Sequence, residues 1–191
     1  LSHRNMIING GMQVAQRSSL AFAHDGNTSG YSQVDRYQLT INTLSEWDGT
    51  MTQHTMTQAE LNTTGFSKAL KLTTGTAESS ITSADALYFS QRIEAQNLQH
   101  LQYGTAGAKT ITLSFWVKTS VTGTYAVGLY KPDGTSRNIT AAYTTSGTGW
   151  EYKTLTFAGD TGAGGTIDNN NGTGLYLTWH LASGPSYDSS P

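Results

Sequence analysis

Apolar and polar residues alternate with a period of two along much of this chain of 191 residues, as they do in strands whose two faces meet different surroundings. The clearest case is ITLSFWVKTS, where Ile111, Leu113, Phe115 and Val117 alternate with Thr112, Ser114, Trp116 and Lys118. TYAVGLY follows with Tyr125, Val127 and Leu129 on one face. It ends at Lys131-Pro132-Asp133-Gly134, where Pro presets φ and Gly takes the left-handed position of a turn. The same reading directs Leu70 and Leu72 of SKALKLTT, and Leu87, Phe89 and Ile93 of ALYFSQRIE, toward a core. Leu155 and Phe157 of EYKTLTF join them, as do Leu175, Leu177, Trp179 and Leu181 of GLYLTWHLA. No long segment sustains a helical apolar period. Residues 160–174, rich in Gly and Asn, read as a long loop. Within residues 45–66, Gln58, Ala59, Glu60 and Leu61 suit one helical turn, and a lid-like insertion is the alternative.

The opening stretch NMIINGGMQVAQR is apolar enough to raise the question of an export signal. Such a signal needs a basic start, about 7–15 uninterrupted apolar residues and a small-residue cleavage site. Here Met6, Ile7 and Ile8 are interrupted by Asn9, Gly10 and Gly11, so the stretch is expected to form a strand, a Gly-permitted turn and a second strand with Met12 and Val14. No segment approaches the roughly 20 apolar residues of a membrane span.

About eight antiparallel strands with long loops imply an all-β fold, a two-sheet antiparallel β-sandwich forming a single domain over residues 1–191. A jelly roll is the commonest arrangement with this spacing, and Greek-key sandwiches give the same pattern. Only 13% of residues are Asp, Glu, Lys or Arg, about half the usual share. With a formal net charge of −2 and no Lys/Arg cluster, the surface does not suit nucleic acid or an anionic membrane and does suit neutral partners, sugars among them. With no Cys, thiol catalysis, Cys-ligated zinc and iron–sulfur clusters are excluded.

The parity that sends Leu and Val inward turns Trp116, Tyr130, Tyr176 and His180 outward. Flat aromatic faces bind the C–H face of a pyranose while flanking polar groups take the hydroxyls, so these four residues are the candidate carbohydrate-binding set. The competing expectation is that they are covered by residues 45–66, by a further strand or by another subunit. Trp150, at the start of a strand, suits core or rim packing better than stacking on a ligand, and Trp47 in SEWDG suits either role. Asp168-Asn169-Asn170-Asn171-Gly172 offers oxygen ligands without an EF-hand pattern, and the His residues at 3, 24, 54, 100 and 180 have no zinc spacing. GTAGAKT imitates a phosphate loop but leads into a strand, so it reads as a hairpin approach. Asp35, Glu46, Asp48, Glu60, Glu78, Glu94 and Asp133 can supply a glycosidase pair in principle, whereas Arg92, Glu94 and Lys118 read as cross-strand ion pairs. With neither a nucleophile elbow nor a metalloprotease helix in the sequence, no catalytic residue is assigned and an enzyme is not expected.

Four phrases in order, NMIINGGMQVAQR, VDRY at Val34–Tyr37, SKALKLT with SQRIE, and KTITLSFWVKT followed by GWEYKTLTF, resemble bacteriophage virion proteins. The resemblance is to tail-fibre, appendage or head-surface proteins whose jelly roll is related to carbohydrate-binding modules. It spans Asn5 to about Leu181. It implies a virion structural or capsid-decoration protein, made in the host bacterial cytoplasm, homo-oligomeric and in contact with other virion proteins and with host cell-surface polysaccharide. It further implies a carbohydrate-binding-module-like jelly roll, no cofactor beyond a structural calcium, and a strand following Leu181 that the residues up to Asp188-Ser189-Ser190-Pro191 do not supply. A dedicated receptor-recognition module is the alternative, and a glycan hydrolase appendage the third reading.

Overall fold

The structure, a computed structural model, describes residues 5–22 and 27–187, so the expectations on His3, His24 and Asp188-Ser189-Ser190-Pro191 lie outside the described residues. Within them the strands are β1 (Leu20–Phe22), β2 (Asn27–Tyr31), β3 (Tyr37–Asn42), β4 (Gly49–Thr55), β5 (Lys68–Thr74) and β6 (Ala86–Glu94). They continue as β7 (Ile111–Val117), β8 (Gly123–Lys131), β9 (Arg137–Thr145), β10 (Glu151–Phe157) and β11 (Thr173–Ser183). A single α-helix, α1 (Gln58–Thr64), lies between β4 and β5. Among the described residues the chain groups into two compact units, residues 7–90 with 180–187, and residues 91–179 with 5–6. β6 and β11 pass through both.

In the residues 7–90 unit, β1, β4 and β5 form one sheet in the order β1-β4-β5, and β2, β3, β6 and β11 lie side by side in another. The alternation in YQLTIN buries Tyr37, Leu39 and Ile41; Leu39 and Ile41 pack with Phe22, Leu44, Met51 and Leu87, while Leu70, Leu72 and Phe89 close around them, and Tyr37 meets Phe89 at 6.4 Å. Each such side chain contributes about 1.5–3 kcal/mol by leaving water. Trp47 belongs to this core. It is 4% exposed, its indole N–H donates to the Thr74 hydroxyl at 3.3 Å, and its ring lies where a Cβ on Gly49 would stand. α1 is longer than the expected single turn because Thr57 and Glu60 form a reciprocal capping box and Gly65 closes the helix at φ 78°. β4 is a strand the period-two reading passes over, since Met51 is its one strongly apolar residue.

The opening stretch departs from expectation. Residues 5–17 contain a turn and no strand, and the left-handed residues are Asn9 and Met12 rather than the glycines. The side chain of Asn9 takes the backbone bonds a ladder would use. Its amide donates to the carbonyls of Val14 and Asp35, at 2.9 and 3.1 Å, and its oxygen accepts from Val14 N–H at 3.0 Å. Arg17 pairs with Asp35 at 2.9 Å, so the phrase closes one loop against another.

In the residues 91–179 unit, β8 pairs antiparallel with β9 and β7 with β10, and β6 lies beside β11. Arg92 meets Tyr176 and Tyr88 meets His180, so β6 and β11 also run antiparallel. The three pairs are nested in sequence, 8 with 9, 7 with 10, and 6 with 11. One sheet runs β6-β11-β8-β9 and the other is β10-β7. Phe115 of β7 meets Tyr143 of β9 and Trp179 of β11 edge to face, with centroids 5.1 and 6.1 Å apart, over a floor of buried Val127, Leu129, Leu175 and Leu177. Within this unit the all-β, sandwich-like expectation is met, and the predicted inward residues of β7, β8, β10 and β11 face the core.

Candidate functional site

The alternation that buries Leu129, Leu175 and Leu177 leaves Tyr130 and Tyr176 on the outer face of the β6-β11-β8-β9 sheet. Their rings stand 5.7 Å apart at 54°, and the guanidinium of Arg92 lies 5.0 Å from the Tyr176 ring centre, a cation–π distance. Asn138 is the cross-strand partner of Tyr130. Arg92, Tyr176, Tyr130 and Asn138 thus form one row across four strands, with a cation at one end and an amide at the other. Beside the row the outer positions of β8 and β9 are small, namely Gly128, Ala126, Thr140 and Ala142. Thr178 donates to the Gly128 carbonyl at 3.2 Å. Bulky rings next to small residues give the face a step and a shallow floor.

Trp116 is not part of this row. Because Phe115 points toward Tyr143 and Trp179, its neighbour Trp116 faces the opposite way, out of the β10-β7 sheet. There it meets its cross-strand partner Tyr152 at 5.3 Å, and Tyr152 is 56% exposed. Lys118 reaches the Trp150 ring at 6.0 Å, which places Trp150 at the rim. The pairs Ser114–Thr154 and Thr112–Thr156 continue this face as a strip of hydroxyls. His180 lies in the other unit, half-buried between Tyr88 and Tyr187 at 5.1 and 6.3 Å, and burial holds its imidazole below the ordinary range. Of the four residues expected to act together, the structure joins Tyr130 and Tyr176. Strand parity predicts a face, but Trp116 belongs to a different sheet. Arg92 and Asn138 were missed because only strand order places them beside the tyrosines, whereas Tyr152 shares the period-two signal and was readable.

The charged groups serve the backbone. The ammonium of Lys131, a residue 3% exposed, donates to the carbonyls of Asp133, Thr135 (2.9 Å) and Gly164 (3.4 Å). The oxygen cage of this unit therefore holds the chain's own cation. Nearby, Arg137 pairs with Asp160 at 2.8 Å, and the Tyr103 hydroxyl is pushed up to about 12 by burial and by the Asp160 charge. In the other unit, Glu78 accepts from the Glu46 and Trp47 N–H groups and Glu46 accepts from Ser79 N–H. Glu46 is held low chiefly by its bonds from Ser79. Among the described residues no three His, Cys, Asp or Glu side chains gather as a metal site. The Asp168–Gly172 loop is bonded within itself through Asn170.

No protein-family model and no curated protein matches the chain. The functional reading therefore rests on side-chain geometry and on the resemblance of the four phrases.

Proposed function

We propose that the chain is a non-catalytic jelly-roll module of a bacteriophage virion appendage, and that it contacts glycans of the host surface through the outer face of the β6-β11-β8-β9 sheet. The nested pairing of β6 with β11, β7 with β10 and β8 with β9 supports the jelly roll, since that fold is a nested antiparallel ribbon rolled into two sheets. The row Arg92–Tyr176–Tyr130–Asn138 carries the glycan reading. Two rings offer faces to sugar C–H groups, and the flanking guanidinium and amide offer hydrogen bonds to hydroxyls or to a carboxylate.

Each ring adds about 1 kcal/mol, so one site binds weakly and several copies on a particle bind firmly. The test is binding of the full chain, displayed multivalently, to a panel of bacterial surface polysaccharides beside the Tyr130→Ala/Tyr176→Ala double variant. A parent that binds, with a folded variant about thirtyfold weaker, supports the reading; a parent that binds none of the panel defeats it. A second reading, a subunit contact within a symmetric assembly, is favoured by the pairing of half-buried Trp116 with exposed Tyr152. Loss of self-association in sedimentation on Trp116→Ala/Tyr152→Ala distinguishes it.

A further inference from the structure

Glycine lacks the Cβ that screens its backbone nitrogen, so an Asn or Asp before Gly is where that nitrogen most readily reaches the preceding side-chain carbonyl carbon. Among the described residues such pairs are Asn9-Gly10, Asp48-Gly49, Asp133-Gly134 and Asn171-Gly172. The fold restrains all but the last. The Asn9 amide is committed to the carbonyls of Val14 and Asp35, and its oxygen to the Val14 N–H. Asp48 accepts from the Thr76 N–H and hydroxyl at 2.8 and 3.0 Å, and Asp133 from the Asp168 N–H at 3.1 Å. A carboxylate is also a poorer electrophile than a carboxamide. Asn171 and Gly172 are exposed, and among the described residues no hydrogen bond reaches the Asn171 carboxamide. One bond opposes attack there, from the Gly172 N–H to Asn170 Oδ1 at 2.8 Å. On either side the loop is anchored, since the Gln96 N–H donates to the Asn170 carbonyl and the Ala95 N–H to the Gly172 carbonyl, both at 2.9 Å.

We infer that Asn171-Gly172 is a site of spontaneous covalent modification, at which the carboxamide becomes a carboxylate. Hydroxide removes the Gly172 amide proton, and the nitrogen attacks Asn171 Cγ. The new N–Cγ bond closes a cyclic imide while the Cγ–Nδ2 bond breaks, the departing nitrogen taking a proton from water and leaving as ammonia. Water then opens the imide. Addition at Cγ gives aspartate at position 171; addition at the main-chain carbonyl carbon gives isoaspartate, whose backbone runs through Cβ and Cγ and is one methylene longer. In sum one water is consumed and one ammonia released, with no redox change. The extra methylene falls between the two anchored carbonyls, so isoaspartate pulls against the bonds to Ala95 and Gln96 at the start of the segment Ala95–Leu101. The inference does not depend on the glycan reading.

The test is peptide mapping by mass spectrometry of the full chain, incubated folded at mildly alkaline pH and read for both products at each pair. Each hydrogen bond that must open slows ring closure about fivefold. Asn9 has three to open and Asn171 one, so Asn171 is expected to convert about twenty-five-fold faster. In denaturant the two asparagines are expected to convert at similar rates, because the fold and not the dipeptide separates them. Asn170→Ala, which releases the Gly172 N–H, is expected to speed conversion about fivefold, and Asn171→Gln, whose larger ring closes far more slowly, to abolish it. The isoaspartate fraction is expected to exchange the Ala95 and Gln96 amides faster than the unmodified chain. Equal rates at Asn9 and Asn171 in the folded chain, a difference that persists in denaturant, aspartate without isoaspartate, or no response to Asn170→Ala would overturn the inference.

Discussion

Replacing Lys131 by Met removes the ammonium while keeping most of the stem, and its cost follows from the acceptors left behind. Of the three carbonyls, that of Gly164 also accepts from Thr135 N–H at 2.8 Å and keeps a partner. The carbonyls of Asp133 and Thr135 lose theirs. Two part-buried acceptors left without a partner cost at most about 2–4 kcal/mol together. Part of this is returned, because burial pulls the Lys131 pKa down, a sign that the ammonium is penalised where it sits. The net expectation is a loss of about 2 kcal/mol, or about 4–8 °C in Tm for a chain of this size. Calorimetry gives the Tm, and hydrogen exchange should show faster opening of residues 133–135 and 163–165. An unchanged or raised Tm would refute the reasoning, since it would mean that these carbonyls find other partners at no cost.

Gly65→Ala should cost about 1 kcal/mol in chemical denaturation; nothing crowds a Cβ there, so the penalty is the left-handed backbone at φ 78° alone. Glu151 is held at about 2, against an ordinary 4.5, chiefly by Lys153 and then by the N–H groups of Gly147 and Ser146. Because the folded value is depressed, its stabilisation is complete above pH 4.5 and is lost as the pH falls toward 2. Glu151→Gln should flatten the acid limb of the stability profile, and a carboxyl midpoint near 4.5 by NMR would contradict this. His180, lowered from an ordinary 6.5 by burial, favours the fold in its neutral form. Stability should therefore decline as the pH drops below 6.5, and His180→Phe should remove that decline in thermal melts at pH 5 and pH 7.

Much of the fold was legible because one period governs it. Leu113, Leu129, Leu177 and their strand neighbours face inward as alternation requires, and Gly134 takes the left-handed turn position expected of it. The misreadings share a physical origin, which is competition for backbone bonds or for space that alternation does not encode. Residues 5–17 alternate like strands, but the Asn9 amide captures their backbone groups. Lys131 reads in sequence as the first residue of a turn, whereas it keeps the inward parity of Val127 and Leu129 and ends among carbonyls. Trp47 could not be placed from a loop sequence, because its place among Phe22, Leu39, Ile41 and Met51 depends on distant strands and on the space that Gly49, lacking a Cβ, leaves for its ring. At the candidate site, parity gave each aromatic residue a face. Which face belongs to which sheet depends on strand order, and that separates Trp116 from Tyr130 and Tyr176.

The most direct test of the glycan account is amide chemical-shift mapping of the full chain against whichever surface polysaccharide fragment binds it best. The account predicts shifts concentrated at Arg92, Gly128, Tyr130, Asn138, Thr140, Tyr176 and Thr178, with Trp116 and Tyr152 undisturbed. Shifts confined to the Trp116–Tyr152 face, or no saturable shift with any fragment, would contradict it.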